Sequence, residues 1–332
     1  MAREIADIPV AAERLLGRRE SLASIAARID EFRPRSVIFC GRGSSGYVGV
    51  YLRYLVEVRL GLLASAAAPS VLTSYGARPG VRDALFIVIS QSGQSPDLVA
   101  MSRAARAGGA LTLAIVNAES SPVAESCELV FGIGAGTERA VAATKTVVLS
   151  MIAGALLVAA SARDAALMAA LRRLPNRLAE AWHCDWSAWG RALAPAPAAF
   201  VSGRGFALGV AKELGLKLQE ALRLPAIAFS AAELRHGPRA AITSTTPVLV
   251  LRQGDETGSM VDALARELRD DGATVFVAGG PMGTLPFIAD DDPVCDPVVM
   301  LVPAYRAIEA AARLRGLDPD NPPHLSKITR TW

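Results

Sequence analysis

Residues 84–101 read ALFIVISQSGQSPDLVAM, and their reading decides the fold. Ala84, Leu85, Phe86, Ile87, Val88 and Ile89 make an apolar run of the length of a parallel strand covered on both faces. The run stops at Ser90, passes through Gln91, Ser92, Gly93, Gln94 and Ser95, and continues from Pro96 and Asp97 as an amphipathic segment. Proline in a first helical turn removes no needed donor, and the free N–H groups of that turn point to the same spot as the hydroxyls of Ser90, Ser92 and Ser95. That spot suits a phosphate. One hydroxyl is enough for an N-cap, so three serines exceed what capping requires.

The same grammar extends outward. Residues 9–31 carry apolar positions at helical spacing and read as one helix. Residues 36–40 (SVIFC) read as a buried strand that runs into Gly41-Arg42-Gly43-Ser44-Ser45-Gly46 and a helix to about residue 62. Residues 71–74 read as a short strand, 99–107 fall in a helix, and 111–116 form another strand. Strictly alternating strands and helices predict a parallel sheet covered on both faces.

The pattern then recurs at a constant offset of 162 residues: VIFCGRG (37–43) matches AFVSGRG (199–205), 88–90 matches 250–252, and 112–115 matches 274–277. Two copies of one α/β unit, joined through a helical stretch at 165–194, are therefore expected. The fold class is α/β with two tandem doubly wound parallel-sheet domains, at 1–164 and 165–315, followed by a tail at 316–332. The second copy has Arg252-Gln253-Gly254-Asp255 where the first has its serines, so one phosphate site of this kind is expected.

Composition narrows the class of function. With 52% hydrophobic and 20% charged residues over 332 positions, the chain has ample core for two globular domains. The apolar stretch 146–162 is short for a bilayer span and is interrupted by Ser150, so it reads as a buried helix or a subunit contact. The first sixteen residues carry acids and lack a continuous apolar core, so they do not read as a signal peptide, and a cytoplasmic location is expected. A net charge of +3 without basic clusters argues against nucleic acid as a partner. Cys40, Cys127, Cys184 and Cys295 are scattered, which argues against disulfides and against a metal site.

Residues 41–46 satisfy GxGxxG after a strand, but a dinucleotide site also wants an acid at the end of the next strand. Residues 73–76 (TSYG) supply none, and no cofactor is expected. Of the 35 basic residues only Lys145, Lys212, Lys217 and Lys327 are lysines. Guanidinium is always protonated and cannot act as a nucleophile, so a retained lysine points to positions where a primary amine is needed.

A second polar concentration lies at 212–237, KELGLKLQEALRLPAIAFSAAELRHG. Lys217 and Glu220 stand three apart on one helix face, where the spacing fits a surface contact or a coupled proton carrier, the former being the commoner use of such a pair. His236, in a loop, is either solvated or a proton-transfer group near neutral pH. Trp182, Trp186 and Trp189 recur at helical spacing and are expected to pack at a domain or subunit junction.

Six segments carry a resemblance: EIADIP (4–9), SQSGQSPD (90–97), AGTERAVAATK (135–145), KLQEALRLPA (217–226), AELRHGP (232–238) and HLSKITRTW (324–332). With them, in this order over nearly the whole chain, the sequence resembles the sugar isomerase (SIS) family, most closely the isomerase portions of glutamine:fructose-6-phosphate amidotransferases. The resemblance implies a flavodoxin-like topology and a sugar phosphate held by Ser44, Ser45, Ser90, Gln91, Ser92, Ser95, Val141 and Ala142. It also implies that Glu220 moves a proton between C1 and C2 beside Lys217, that His236 of a partner subunit opens the sugar ring, and that Lys327 forms a Schiff base with the open-chain keto sugar. A homodimer or higher oligomer follows, without nucleic acid or membrane.

Ala143 stands where the family has a serine, and GRGSSG replaces a Thr-Ser pair. The resemblance leads to the expectation that the chain starts at the family's linker and works without the glutamine-hydrolysing domain, so the expected reaction is release of ammonia: D-glucosamine 6-phosphate and water giving fructose 6-phosphate and ammonia. Alternatives are a deglycase of 6-phosphorylated sugar–amino acid adducts, a galactosamine-6-phosphate deaminase/isomerase, and a non-catalytic sugar-phosphate-binding module. The last fits poorly with retention of Glu220, His236 and Lys327. A serine hydrolase is disfavoured by the lack of a G-x-S-x-G elbow.

Overall fold

A computed structural model describes residues 1–78, 80–290 and 292–327. The elements in chain order are α1 (Ala2–Ala6), α2 (Ile8–Leu16), α3 (Arg19–Phe32), β1 (Ser36–Cys40), α4 (Ser44–Leu60), β2 (Leu63–Ala66), α5 (Pro69–Thr73), β3 (Ala84–Ser90), α6 (Pro96–Ala107), β4 (Leu111–Val116), α7 (Pro122–Ser126), β5 (Leu129–Gly132) and α8 (Lys145–Ser161). They continue with α9 (Ala165–Ala181), α10 (Ser187–Leu193), β6 (Ala199–Gly203), α11 (Ala207–Leu222), β7 (Ala226–Ser230), α12 (Ala231–Arg235), a 3-10 turn (Pro238–Ala241), β8 (Val248–Leu251), α13 (Gly258–Asp270), β9 (Val275–Ala278) and α14 (Asp296–Leu314).

The chain forms two compact units. One comprises Val10–Glu138, Lys145–Leu171 and the segment from Ser326; the other comprises Met1–Pro9, Arg139–Thr144 and Arg172–Leu325. The first holds a parallel sheet of order β2-β1-β3-β4-β5 and the second a parallel sheet of order β7-β6-β8-β9. Every residue of β3 and β4 is buried, as apolar runs without alternation require for central strands covered on both faces. The first four strands of the larger sheet correspond one for one to the smaller sheet.

Glycines at the same offset confirm the repeat. A Cβ on Gly41 would lie 2.8 Å from the Ser45 carbonyl carbon, and one on Gly203 would lie 2.6 Å from the Ala207 carbonyl oxygen. In both copies the first strand thus leads into a helix whose first turn presses on the strand end, a closeness only glycine allows.

In an open sheet of this topology the crevice lies beyond the strand ends where the order reverses, between β1 and β3. Cys40 and Val88 are in register there, so residues 41–46 and 90–95 issue side by side.

Two expectations are corrected. Residues 71–74 are not a strand, because Pro69 opens the short helix α5 with a fixed φ suited to a first turn; the strand is β2, an exposed edge whose LASA sequence lacks β-branched residues. The predicted helix at 9–31 is two helices broken at Gly17 and Arg18. The apolar stretch forms α8, buried along nearly its whole length, and no helix among the described residues is long and apolar enough to cross a membrane. Trp186 and Trp189 are buried within the second unit, with rings edge to face at 6.0 Å.

Candidate active site

In the first unit, β3 delivers Ser90 to the head of α6. The Ser90 hydroxyl accepts the Gly93 N–H at 3.0 Å and the Ser92 hydroxyl accepts the Gln94 N–H at 3.3 Å. These bonds curl the turn, and Gly93 takes the left-handed φ of 64° that the curl needs. A Cβ at Gly93 would overlap the Ser121 side chain. Ser95 is the N-cap of α6, but its hydroxyl makes no capping bond to that helix. Gln91, Ser92 and Ser95 are partly exposed. The turn thus offers hydroxyls and a helix start to a ligand, the chemistry of an anion site.

The glycine loop is tied to this turn by residues not singled out from the sequence. Arg42 donates from Nε to Oδ2 of Asp97 at 2.8 Å, and its Nη2 lies 2.7 Å from the same oxygen. The Asp97 side chain is fully buried and its Oδ1 accepts the Leu98 N–H. Asp97 therefore occupies the first turn of α6 with Arg42 as counter-ion, which fixes Ser44 and Ser45, in the first turn of α4, relative to the serine turn.

Lys327 also belongs to this unit. Its Nζ donates to Oε2 of Glu138 at 3.1 Å, and the same carboxylate accepts the Thr146 N–H at 3.1 Å and the Thr146 hydroxyl at 2.7 Å. Glu138 stands within the AGTERAVAATK segment but no role was read for it. The remainder of the tail motif, residues 328–332, lies outside the described residues.

In the second unit, α11 carries Glu213, Lys217 and Glu220 on one face. The Lys217 side chain has no solvent exposure; its Nζ lies 3.4 Å from Glu213 Oε1 and donates to Glu220 Oε2. The pair is therefore not the surface contact that its spacing alone favours. Glu213 is wholly buried and accepts a hydrogen bond from the Tyr305 hydroxyl of α14 at 3.0 Å, whereas the Glu220 side chain keeps 22% of its surface in solvent. Burial opposes the charge on Lys217, but Glu213 and Glu220 outweigh it and hold the lysine pKa above its ordinary value. Glu213 was legible as the residue four before Lys217 on the same helical face; Tyr305, from another helix, was not.

His236 caps α12, with its backbone N–H on the Glu233 carbonyl, and its side chain is exposed. Val141 donates its N–H to the Asp320 carbonyl at 3.0 Å, and Ala142 beside it is buried.

The counterpart of the serine turn in the second unit is filled by its own side chains. Asp255 Oδ1 accepts the Thr257 N–H at 2.9 Å and the Thr257 hydroxyl at 2.5 Å, and Oδ2 accepts Gln253 Nε2 at 2.8 Å. A carboxylate already sits before the first turn of α13.

Residues 32–160 and 192–279 match the SIS domain family profile. The glutamine–fructose-6-phosphate aminotransferase [isomerizing] of Symbiobacterium thermophilum is 30% identical over 91% of this chain and 52% of its own length; that of Gluconobacter oxydans is 30% identical over 98% and 58%. The chain spans about half the length of these curated relatives. Among solved structures, one from Silicibacter pomeroyi, provisionally assigned as a phosphosugar isomerase, is 40% identical with a TM-score of 0.92 over 96% of this chain and 98% of that one. The glucosamine-6-phosphate deaminase of Thermotoga maritima shares the fold, with a TM-score of 0.76 over 94% and 99% of the chains at 22% identity.

Proposed function

The chain belongs to the SIS domain family, and on that premise we propose that it converts D-glucosamine 6-phosphate and water to fructose 6-phosphate and ammonia. The observation that carries the reading is the row Glu213–Lys217–Glu220. A lysine without solvent exposure between two carboxylates is a poor way to stabilise a helix, since apolar residues of similar volume do as well or better. Its chemistry is different: it fixes the carboxyl group of Glu220 at the edge of solvent beside a buried amine.

The roles divide as follows. Ser90, Gln91, Ser92 and Ser95, with Ser44, Ser45, Val141 and Ala142, hold the phosphosugar. His236 opens the ring, and its exposed position suits action on the substrate of a second copy. Glu220 removes the proton from C2 and returns it to C1, converting the amino aldose to a C2 imine. Lys327 takes the place of the amine at C2 and ammonia leaves; water then cleaves the lysine imine and releases the ketose. A homodimer is part of this reading.

The test is direct: purified protein with glucosamine 6-phosphate, followed by coupled assays for ammonia and fructose 6-phosphate. Release of both in equal amounts is expected, and loss of at least about 10²-fold in Glu220→Gln. Absence of both products rejects the reaction, and undiminished turnover of the variant rejects the role of Glu220. Galactosamine 6-phosphate and 6-phosphorylated sugar–amino acid adducts complete the panel.

A further inference from the structure

We propose that Glu138 is the proton acceptor that makes Lys327 a nucleophile. The proposal rests on the reading above that Lys327 forms a Schiff base, and it assigns a catalytic group that neither the serine turn nor the Glu220 row supplies.

The Glu138 carboxylate has no solvent exposure, yet the ammonium that contacts it does: the Lys327 side chain keeps 24% of its surface exposed. The carboxylate is fixed by α8, whose Thr146 N–H binds Oε1 and whose Thr146 hydroxyl binds Oε2. Lys327 reaches the same carboxylate from 189 residues along the chain. A buried carboxylate held at a helix start by Thr146 and in contact with a solvent-reachable amine is poised to act on that amine. An ammonium has no lone pair to offer, so an adjacent proton acceptor is required for attack on a carbonyl.

The step balances without a further reactant. The Lys327 ammonium gives one proton to Glu138, and the neutral amine forms a C–N bond to the keto carbon of the open-chain sugar, whose oxygen becomes the carbinolamine hydroxyl. Glu138 returns its proton to that hydroxyl, the C–O bond breaks, and water leaves. The products are a protonated imine on Lys327 and an ionised Glu138. A salt bridge that merely anchored the tail would require the charge attraction but not the proton transfer.

The experiment is reductive trapping of the full chain with fructose 6-phosphate and cyanoborohydride, read as the rate of mass gain at Lys327 in peptide maps. Glu138→Gln keeps an oxygen for Thr146 and for Lys327 but cannot take a proton; trapping is expected to slow at least about tenfold while the KM for the sugar changes little. In Glu138→Ala, formate is expected to restore trapping, whereas formamide, of similar size and hydrogen-bonding capacity, is not. Trapping in Glu138→Gln at the wild-type rate, or equal rescue by formamide, overturns the proposal and leaves the reaction intact. Absence of an adduct at Lys327 in the wild type overturns both the proposal and the Schiff-base reading. If the melting temperature shows that Glu138→Gln does not fold, Glu138→Asp, which keeps the charge but withdraws it from Nζ, takes its place: tenfold slower trapping supports the proposal and an unchanged rate overturns it.

Discussion

Two nitrogens of Arg42 converge on a single oxygen of Asp97, at 2.8 and 2.7 Å, so that a fully buried carboxylate in the first turn of α6 has its counter-ion on the glycine loop that follows β1. Arg42→Met removes the charge and leaves Asp97 uncompensated. Because the Arg42 side chain is 47% exposed, water softens the loss, and a cost of about 1–3 kcal/mol is expected. Urea unfolding measures it. Phosphosugar affinity, measured by calorimetry on the same variant, is expected to fall as the two loops lose their common anchor.

Gly93 separates conformation from space. Gly93→Ala incurs the left-handed penalty and drives a methyl group into Ser121, for a combined cost of about 2–4 kcal/mol. Gly272→Ala, at φ 82° with open space around the added carbon, incurs only the conformational part, about 1 kcal/mol. Thermal melts of the two variants should differ accordingly, and only the first should lose phosphosugar binding.

The buried row of α11 predicts a rescue of stability without a rescue of activity. Lys217→Met strands Glu213, whose side chain has no exposure, and should cost about 3–5 kcal/mol. Adding Glu213→Gln neutralises the stranded group while still accepting the Tyr305 hydroxyl, and should recover half or more of the loss. Turnover of glucosamine 6-phosphate should stay abolished in both. A double variant no more stable than the single one contradicts the account.

Asp296, at the start of α14, gives the second unit a pH dependence. Burial pushes its pKa from 3.8 up to about 6, against the pull of Arg177 at 2.7 Å and the Gly254 N–H at 3.3 Å, with Asp290 adding to the rise. A raised carboxyl pKa means the folded state binds the proton more tightly than the unfolded one. Its stabilising contribution is therefore complete below about pH 4 and is lost as pH rises through about 6. The loss is on the order of 1–3 kcal/mol. Guanidinium midpoints between pH 4 and 8 should show this slope in the wild type and a flatter one in Asp296→Asn.

The repeat was legible because both strands run as short, largely apolar segments into the same Gly-Arg-Gly, in VIFCGRG and AFVSGRG, and the first glycine is needed in both places for one steric reason. The serine turn was legible because strand, hydroxyls and helix start are consecutive. β2 was missed because an exposed edge strand of small residues has no hydrophobic period to betray it, while the branched residues of α5 imitate one. What escaped lies between segments distant in the chain: Arg42 and Asp97 are 55 residues apart, Glu213 and Tyr305 are 92, and Glu138 and Lys327 are 189. Each residue alone is an ordinary charged or phenolic side chain; only the fold makes a pair of it.

Asp255 bears on a matter of counting. Duplicated sheets present two mouths of the same ancestry, but one arrives with its stopper in place, a carboxylate tethered by Thr257 and Gln253 where an incoming anion would have to lodge. A titration with inorganic phosphate or a phosphosugar should therefore saturate at one equivalent per chain, with the second mouth closed from within by its own side chains.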